Sequence, residues 1–193
     1  MRHDLGEKES TMSVGDSLRT NLEFWHWYPR LLCDGLTQEQ LHWQPPQHPN
    51  HIMFALWHAY RSEDFIIHGL LMERADVFTA AGWGDRLPVA KPGDPPFGTG
   101  LNRQQIAAVR LRLDDVLDYA EAARASIQAY ADGLSIDDGA QQVPLPFFEP
   151  VYPMLKTMSR AEVLAFFCIG HTAEHLGEVQ YIKGLMGLTG APF

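Results

Sequence analysis

NRQQIAAVRLRLDDVLDYAEAARASIQAYADG, residues 102–133, is the stretch that decides the fold. Ile106, Val109, Leu113, Val116, Ala120, Ala123, Ile127 and Tyr130 recur at alternating spacings of three and four. That period lays one apolar stripe along a helix, the seam a bundle packs on. Asn102 with Gln105 three residues on reads as the helix start, and Gly133 as its end. The stripe's opposite side, Asp114, Asp115, Asp118 and Glu121, reads as a solvated face.

Three further helices are predicted around this one. Residues 13–34 carry Val14, Leu18, Leu22, Trp25 and Leu32 at helical spacing, with Pro29 expected to kink or break the helix. Thr37, Gln38, Glu39 and Gln40 form a capping box for a short turn. Residues 51–73, with Asn50 as N-cap, carry two stripes: Met53, Leu56, Trp57, Tyr60, Ile67 and Leu71 on one side, His51, Phe54, His58 and Phe65 on the other. Such a helix is expected to be buried on both sides, and its two-sidedness predicts a homodimer. The last helix opens with the capping box Ser159, Arg160, Ala161, Glu162 and runs to about Gly184.

Between these lie two long Gly- and Pro-rich connections, 76–101 and 133–158, of a length that is usually functional or mobile. No segment alternates with the period of a strand. The expected architecture is all-α: one four-helix-bundle domain over 13–193, two long loop connections, and a flexible N-terminal tail over 1–12.

Composition narrows the function. The chain has 193 residues, 46% hydrophobic and 20% charged, with 24 acidic against 15 basic residues and a net charge of −9. An acidic balance opposes nucleic-acid binding, which is driven by clustered Lys and Arg. No apolar run is long enough to span a membrane. The opening Met1-Arg2-His3-Asp4-Leu5-Gly6-Glu7 carries no apolar signal core, and Cys33 and Cys168 lack a CxxC pairing. A cytoplasmic protein with two buried thiols is the expectation.

Nine histidines stand out. His171 and His175, four apart, place two imidazoles on one helical face, where they can grip one metal ion. A chain with this many histidines makes such a pair often by chance, so its surroundings matter. Gly170 and Gly177 interrupt the helix interior beside the pair, suited to a pocket or to close helix packing. Glu178 shares the face of His171 and could ligate, orient a ligand histidine, or act as a base. His171-Thr172-Ala173-Glu174-His175 also fits the inverted zinc-protease pattern H-x-x-E-H. That reading fails for want of a downstream third ligand and of a peptide-binding chamber, and Glu174 is then a solvent-side residue. A third ligand must come from elsewhere, with His26, His51, His58 and His68 as candidates. Trp83, Phe97, Phe147, Phe148 and Tyr152 could wall a substrate pocket from the two connections. Arg61 and Glu63 read as structural or interfacial.

The segment Leu56-Trp57-His58-Ala59-Tyr60-Arg61-Ser62-Glu63-Asp64, followed far downstream by His171-Thr172-Ala173-Glu174-His175-Leu176-Gly177-Glu178, resembles the DinB-like (YfiT-like) superfamily. Thr37-Gln38-Glu39-Gln40-Leu41, Gly82-Trp83-Gly84-Asp85, Gly98-Thr99-Gly100-Leu101 and Gly184-Leu185-Met186-Gly187-Leu188 extend the likeness over residues 13–193. The resemblance implies a four-helix bundle holding one divalent metal ion, zinc first, with nickel, iron or manganese as alternatives. It implies His58, His171 and His175 as the ligands. It also implies a small-molecule substrate and chemistry like that of thiol-dependent transferases or isomerases; three neutral imidazoles leave a coordination position open, which a water would fill for hydrolysis or a low-molecular-weight thiol for transfer. Glu178 is our candidate catalytic residue in that setting. The alternative is a non-catalytic metal-binding or partner-binding helical module.

Overall fold

The computed structural model describes residues 12–89, 96–146 and 154–191. Phe147, Phe148, Tyr152 and all but the last residue of the 1–12 tail lie outside the described residues. Four long helices form the bundle. They are α1 (Val14–Cys33), α3 (Ile52–Ile66, extended by a π turn over Ile67–Leu71), α6 (Leu113–Gly133), and a final helix of α8 (Arg160–Ala165) and α9 (Thr172–Leu185) joined by a π turn over Phe166–His171. Short helices α2 (Gln38–Leu41), α4 (Val77–Ala80), α5 (Arg103–Ala108) and α7 (Ile136–Gly139) lie in the connections.

Cross-helix bonds give the directions. Arg124 to the Leu22 carbonyl and Arg19 to Asp132 run α1 against α6. Asp64 with Tyr119 and His68 with Ser126 make α3 and α6 parallel. Asn50 with Glu178 and Glu63 with Thr172 make α3 and α9 antiparallel. The wiring is therefore up-down-down-up. Two parallel neighbours in sequence need a connection that travels the length of the bundle, which is why some forty residues separate α3 from α6.

The sequence-predicted caps at Thr37, Asn102 and Ser159 are all capping boxes, and Ser13 at the start of α1 forms a fourth. Several expectations change. Pro29 does not break α1: the helix runs through it to Cys33, with Tyr28, Pro29 and Leu32 buried, so packing outweighs the missing N–H. The helix predicted over 102–133 is two helices. Val109 turns extended (ψ 117°), and the Leu111 amide, freed from any helix, donates to His42 Nε2 at 3.1 Å. The break lets both Val109 and Leu111 enter the core, which an unbroken helix would forbid. Two three-residue strands, β1 (Gln142–Pro144) and β2 (Thr157–Ser159), pair antiparallel in the second connection, too short to show alternation. Asp76 caps α4 inside what reads as loop.

The core falls into two apolar clusters. One gathers Leu32, Ile52, Met53, Trp57, Val116, Leu176 and Val179. The other gathers Leu22, Ile67, Ile127, Val163, Leu164 and Phe167. A polar layer of Glu63, Arg124, Thr172 and His26 lies among the four helices. The Glu63 carboxylate is 3.4 Å from Arg124 Nε, and its burial pushes its pKa up against that charge. Arg61 pairs with Asp76 at 3.2 Å and lies over the Phe78 ring. Both Arg61 and Glu63 are thus interior residues that tie elements together. Cys33 and Cys168 are buried and unbridged, as expected of core thiols. Every residue of Ile52–Trp57 is buried within the chain, so the two stripes of α3 need no second copy to cover them; of the stripe residues, Phe65 is exposed and His58 half-buried. Among the described residues no helix is long and apolar enough to cross a membrane.

Candidate metal centre

α3 and α9 pack antiparallel, and that packing brings His58 opposite the pair His171 and His175. Ring centroids lie 4.6 Å apart for His171 and His175, 4.7 Å for His58 and His175, and 5.4 Å for His58 and His171. One ligand nitrogen from each ring lies within 4.8 Å of the other two, so the three could hold one metal ion. The two Nε2 atoms of His171 and His175 are 3.2 Å apart. Tetrahedral zinc with bonds of about 2.0–2.1 Å would separate two such nitrogens by about 3.3 Å. The π turn over Phe166–His171 ends on the first histidine of this pair. One inserted residue rotates the helix phase by about 100°, so Phe167 and Cys168 can face the core while His171 faces His58.

The partners of the outer nitrogens decide which atoms are available. His58 Nδ1 is 2.6 Å from the Phe97 carbonyl oxygen, an acceptor, so Nδ1 carries the proton and Nε2 a free lone pair. His175 Nδ1 donates to Glu178 Oε2 at 2.8 Å, which likewise leaves Nε2 free. Glu178 Oε1 accepts from Asn50 Nδ2 at 2.7 Å, and His48 Nε2 lies 3.5 Å away. A carboxylate or carbonyl behind a histidine is the arrangement that orients imidazoles toward a metal. The Nδ1 of His171 is buried and meets no hydrogen-bond partner among the described residues.

Electrostatics favour the neutral rings that metal binding needs. Burial, reinforced by the neighbouring imidazoles of His175 and His58, lowers the pKa of His171 to about 3. Burial also lowers that of His58, against the Phe97 carbonyl. Burial opposes the charge on Glu178, but the hydrogen bonds from His175 and Asn50 outweigh it and keep the carboxyl ionised below its usual range.

A cleft of about 210 Å³ opens beside His58 and His175, lined by Asn50, Phe54, Thr99, Leu101 and Ile106 among others. Its wall depends on Gly98. That residue has φ +80°, and a Cβ there would lie 2.9 Å from Trp57 and 3.0 Å from Phe54. Only glycine lets the 96–101 loop press onto α3 and deliver the Phe97 carbonyl to His58.

The other sequence candidates go elsewhere. His51, not Asn50, caps α3: its Nδ1 accepts from the Phe54 amide and its Nε2 meets the Ile106 carbonyl. Asn50 is released to bond Glu178, a role that the cap reading hid. His26 packs edge-on to Tyr60 within the polar layer. His68 lies between Asp64 and Ser126. Trp83 packs against Tyr119 rather than at the cleft, whereas the Phe97 ring lies 6.0 Å from that of His58, tilted by 60°. Gly170 and Gly177 are exposed and meet no closely approaching helix; the nearest atom to a Cβ at Gly170 is a backbone oxygen 3.9 Å away. Glu174 is exposed, as expected.

Comparison with known proteins agrees with the fold. The model of the DinB superfamily matches residues 30–179. A conserved protein of Enterococcus faecalis has a similar crystal structure, with a TM-score of 0.75 at 17% identity, covering 92% of this chain and 99% of that one. At that identity the likeness concerns the fold. No curated protein matches the chain.

Proposed function

Since the chain belongs to the DinB superfamily, we propose that it is a metal-dependent protein acting on a small molecule, as a hydrolase or as a transferase to a low-molecular-weight thiol. His58, His171 and His175 are the proposed ligands of one divalent ion, with zinc ahead of nickel, iron or manganese. The observation that carries this reading is the convergence of three imidazole nitrogens whose outer nitrogens are held, in two rings, by an oxygen acceptor. Three neutral ligands leave room for a fourth, and an ion so held would ease deprotonation of a water or a thiol.

The chain's own residues supply the rest. The Phe97 carbonyl and Glu178 fix the tautomers of His58 and His175. Glu178 has both oxygens engaged, which supports orientation of His175 as its first task; service as a base requires release of one donor. Phe54, Leu101 and Ile106 give the cleft apolar walls for a small substrate, and Asn50 and Thr99 give it polar ones.

A homodimer is still proposed, but on a different surface: Tyr181 and Leu185, one turn apart on α9, are 62% and 46% exposed. Sedimentation at micromolar concentration tests it. The functional reading is tested by screening simple esters, and electrophiles with several thiols, against the chain with and without zinc. Turnover that requires the ion and fails in the His171→Ala variant supports the enzyme. Stoichiometric metal without turnover on any class favours the non-catalytic module.

A further inference from the structure

At the far end of α3, ten residues or about 15 Å along the helix from His58, a second constellation stands apart from the histidine cluster. His68 Nδ1 lies 2.8 Å from Asp64 Oδ1 and 2.9 Å from the Asp64 carbonyl oxygen. Both are acceptors, so the proton sits on Nδ1 and the lone pair on Nε2. That Nε2 is 2.8 Å from Ser126 Oγ on α6. Ser126 can therefore donate its hydroxyl proton to a base whose other side is held by a buried carboxylate. From these distances we infer that Ser126, His68 and Asp64 form a nucleophile, base and orienting acid for acyl transfer, independent of any metal. The same logic of roles recurs on unrelated folds, and it is recognised by geometry rather than sequence order.

The surroundings support the assignment. Asp64 is fully buried and accepts from Tyr119 Oη at 2.7 Å and from the amides of Val77 and Phe78 at 3.0 and 2.9 Å. Burial opposes its charge, but these bonds and that from His68 outweigh burial and keep it ionised. His68 is shielded from solvent, whereas Ser126 lines an open cleft of about 480 Å³ with Leu71, Met72, Arg74, Ala129 and Tyr130. That volume lies within the range of small-molecule sites. Arg74 is the one charged residue in this lining, and its Nη2 donates to Ser126 Oγ at 2.6 Å. It stands beside the nucleophile, from where it can turn to the carbonyl oxygen of an ester bound there. Two backbone irregularities bring these groups together. His68 lies on the π turn that ends α3, and Glu73 holds φ +51°, a left-handed conformation unusual for a side-chain-bearing residue. That residue folds Arg74 back until its amide meets the His68 carbonyl oxygen at 3.1 Å.

The lining is apolar apart from Arg74, Ser126 and the Tyr130 hydroxyl, so the fitting substrate is an uncharged ester with a short apolar acyl chain. Ser126 Oγ bonds to the carbonyl carbon as its proton passes to His68 Nε2, and Arg74 stabilises the oxyanion. The carbon–oxygen bond to the alcohol then breaks, and the alcohol takes the proton from His68. Water, deprotonated by His68, adds to the acyl-serine. That ester bond breaks, Ser126 recovers its proton, and the carboxylic acid leaves.

The test uses the full chain in the presence and absence of a chelator. A fluorophosphonate is the covalent probe and p-nitrophenyl butyrate the substrate. The expected result is one phosphonyl adduct on the peptide holding Ser126 and ester hydrolysis unaffected by the chelator. Both should be lost in Ser126→Ala, a change that a helix interior tolerates. His68→Gln should slow labelling by about 10²- to 10⁴-fold, the usual worth of a positioned base. If His68→Gln loses its helical circular dichroism, Ser126→Ala alone decides. An adduct at any residue other than Ser126, no adduct, or hydrolysis at the unaltered rate in Ser126→Ala overturns the inference.

Discussion

Replacing Gly98 by alanine should damage stability and the metal centre together. The residue has φ +80°, where a Cβ clashes with its own backbone at a cost of about 1 kcal/mol. The added methyl would also lie 2.9 Å from Trp57 Cζ3 and 3.0 Å from Phe54 Cε2, both on rings packed in the core. Rings so confined yield only by shifting α3 or the loop, and such overpacking costs typically about 1–3 kcal/mol. Together the penalty is about 2–4 kcal/mol. For a domain of this size, a loss of 1 kcal/mol lowers Tm by about 2–4 °C, so the expected drop is about 5–15 °C. The loop also carries the Phe97 carbonyl, whose 2.6 Å bond fixes the His58 tautomer. Zinc affinity should therefore fall by about tenfold or more, in keeping with loss of a group that orients a ligand histidine. Differential scanning calorimetry of the metal-free protein gives the first number and chelator competition the second. A Tm within about 2 °C of the parent and an unchanged affinity would refute the reasoning, because both follow from one close approach.

Glu178→Gln keeps the shape but sets an amide N–H₂ against one of two donors, His175 Nδ1 or Asn50 Nδ2; zinc affinity should weaken about 10- to 100-fold with little change in far-ultraviolet circular dichroism. An affinity within twofold of the parent would remove Glu178 from the centre. Acid should destabilise the metal-free fold through histidines buried neutral: burial lowers the pKa of His51 to about 4 and that of His26 well below its ordinary 6.5. The unfolded chain then binds more protons than the folded one between about pH 6.5 and pH 4, so stability falls as pH falls through that window. Urea midpoints measured across it should decline, and His51→Asn should flatten the decline; a midpoint that rises on acidification contradicts the assignment.

The sequence shows the bundle because long amphipathic helices advertise themselves through period and caps, as those opening at Asn102 and Ser159 do. It is less informative where tertiary contacts override local preference. The extended residues around Val109 exist because His42, far away in sequence, satisfies the Leu111 amide. Pro29 is tolerated because the core holds the end of α1 together. The π turns that phase His171 and His68 leave no periodic trace over one turn. At the centre, His171 and His175 announce themselves by spacing, and His58 by resemblance alone, since four histidines competed on equal terms. The roles of Asn50 and of the Phe97 carbonyl were hidden for separate reasons. The asparagine resembles a cap, and a backbone oxygen has no sequence signature.

The most direct measurement is metal content by plasma mass spectrometry, on the full chain purified without chelator or affinity tag, beside the His171→Ala/His175→Ala double variant. Three convergent imidazoles predict about one divalent ion per chain, and almost none in the double variant while its helical circular dichroism persists. A chain that takes up no ion even from excess zinc, or a double variant that binds as much as the parent, would contradict the account.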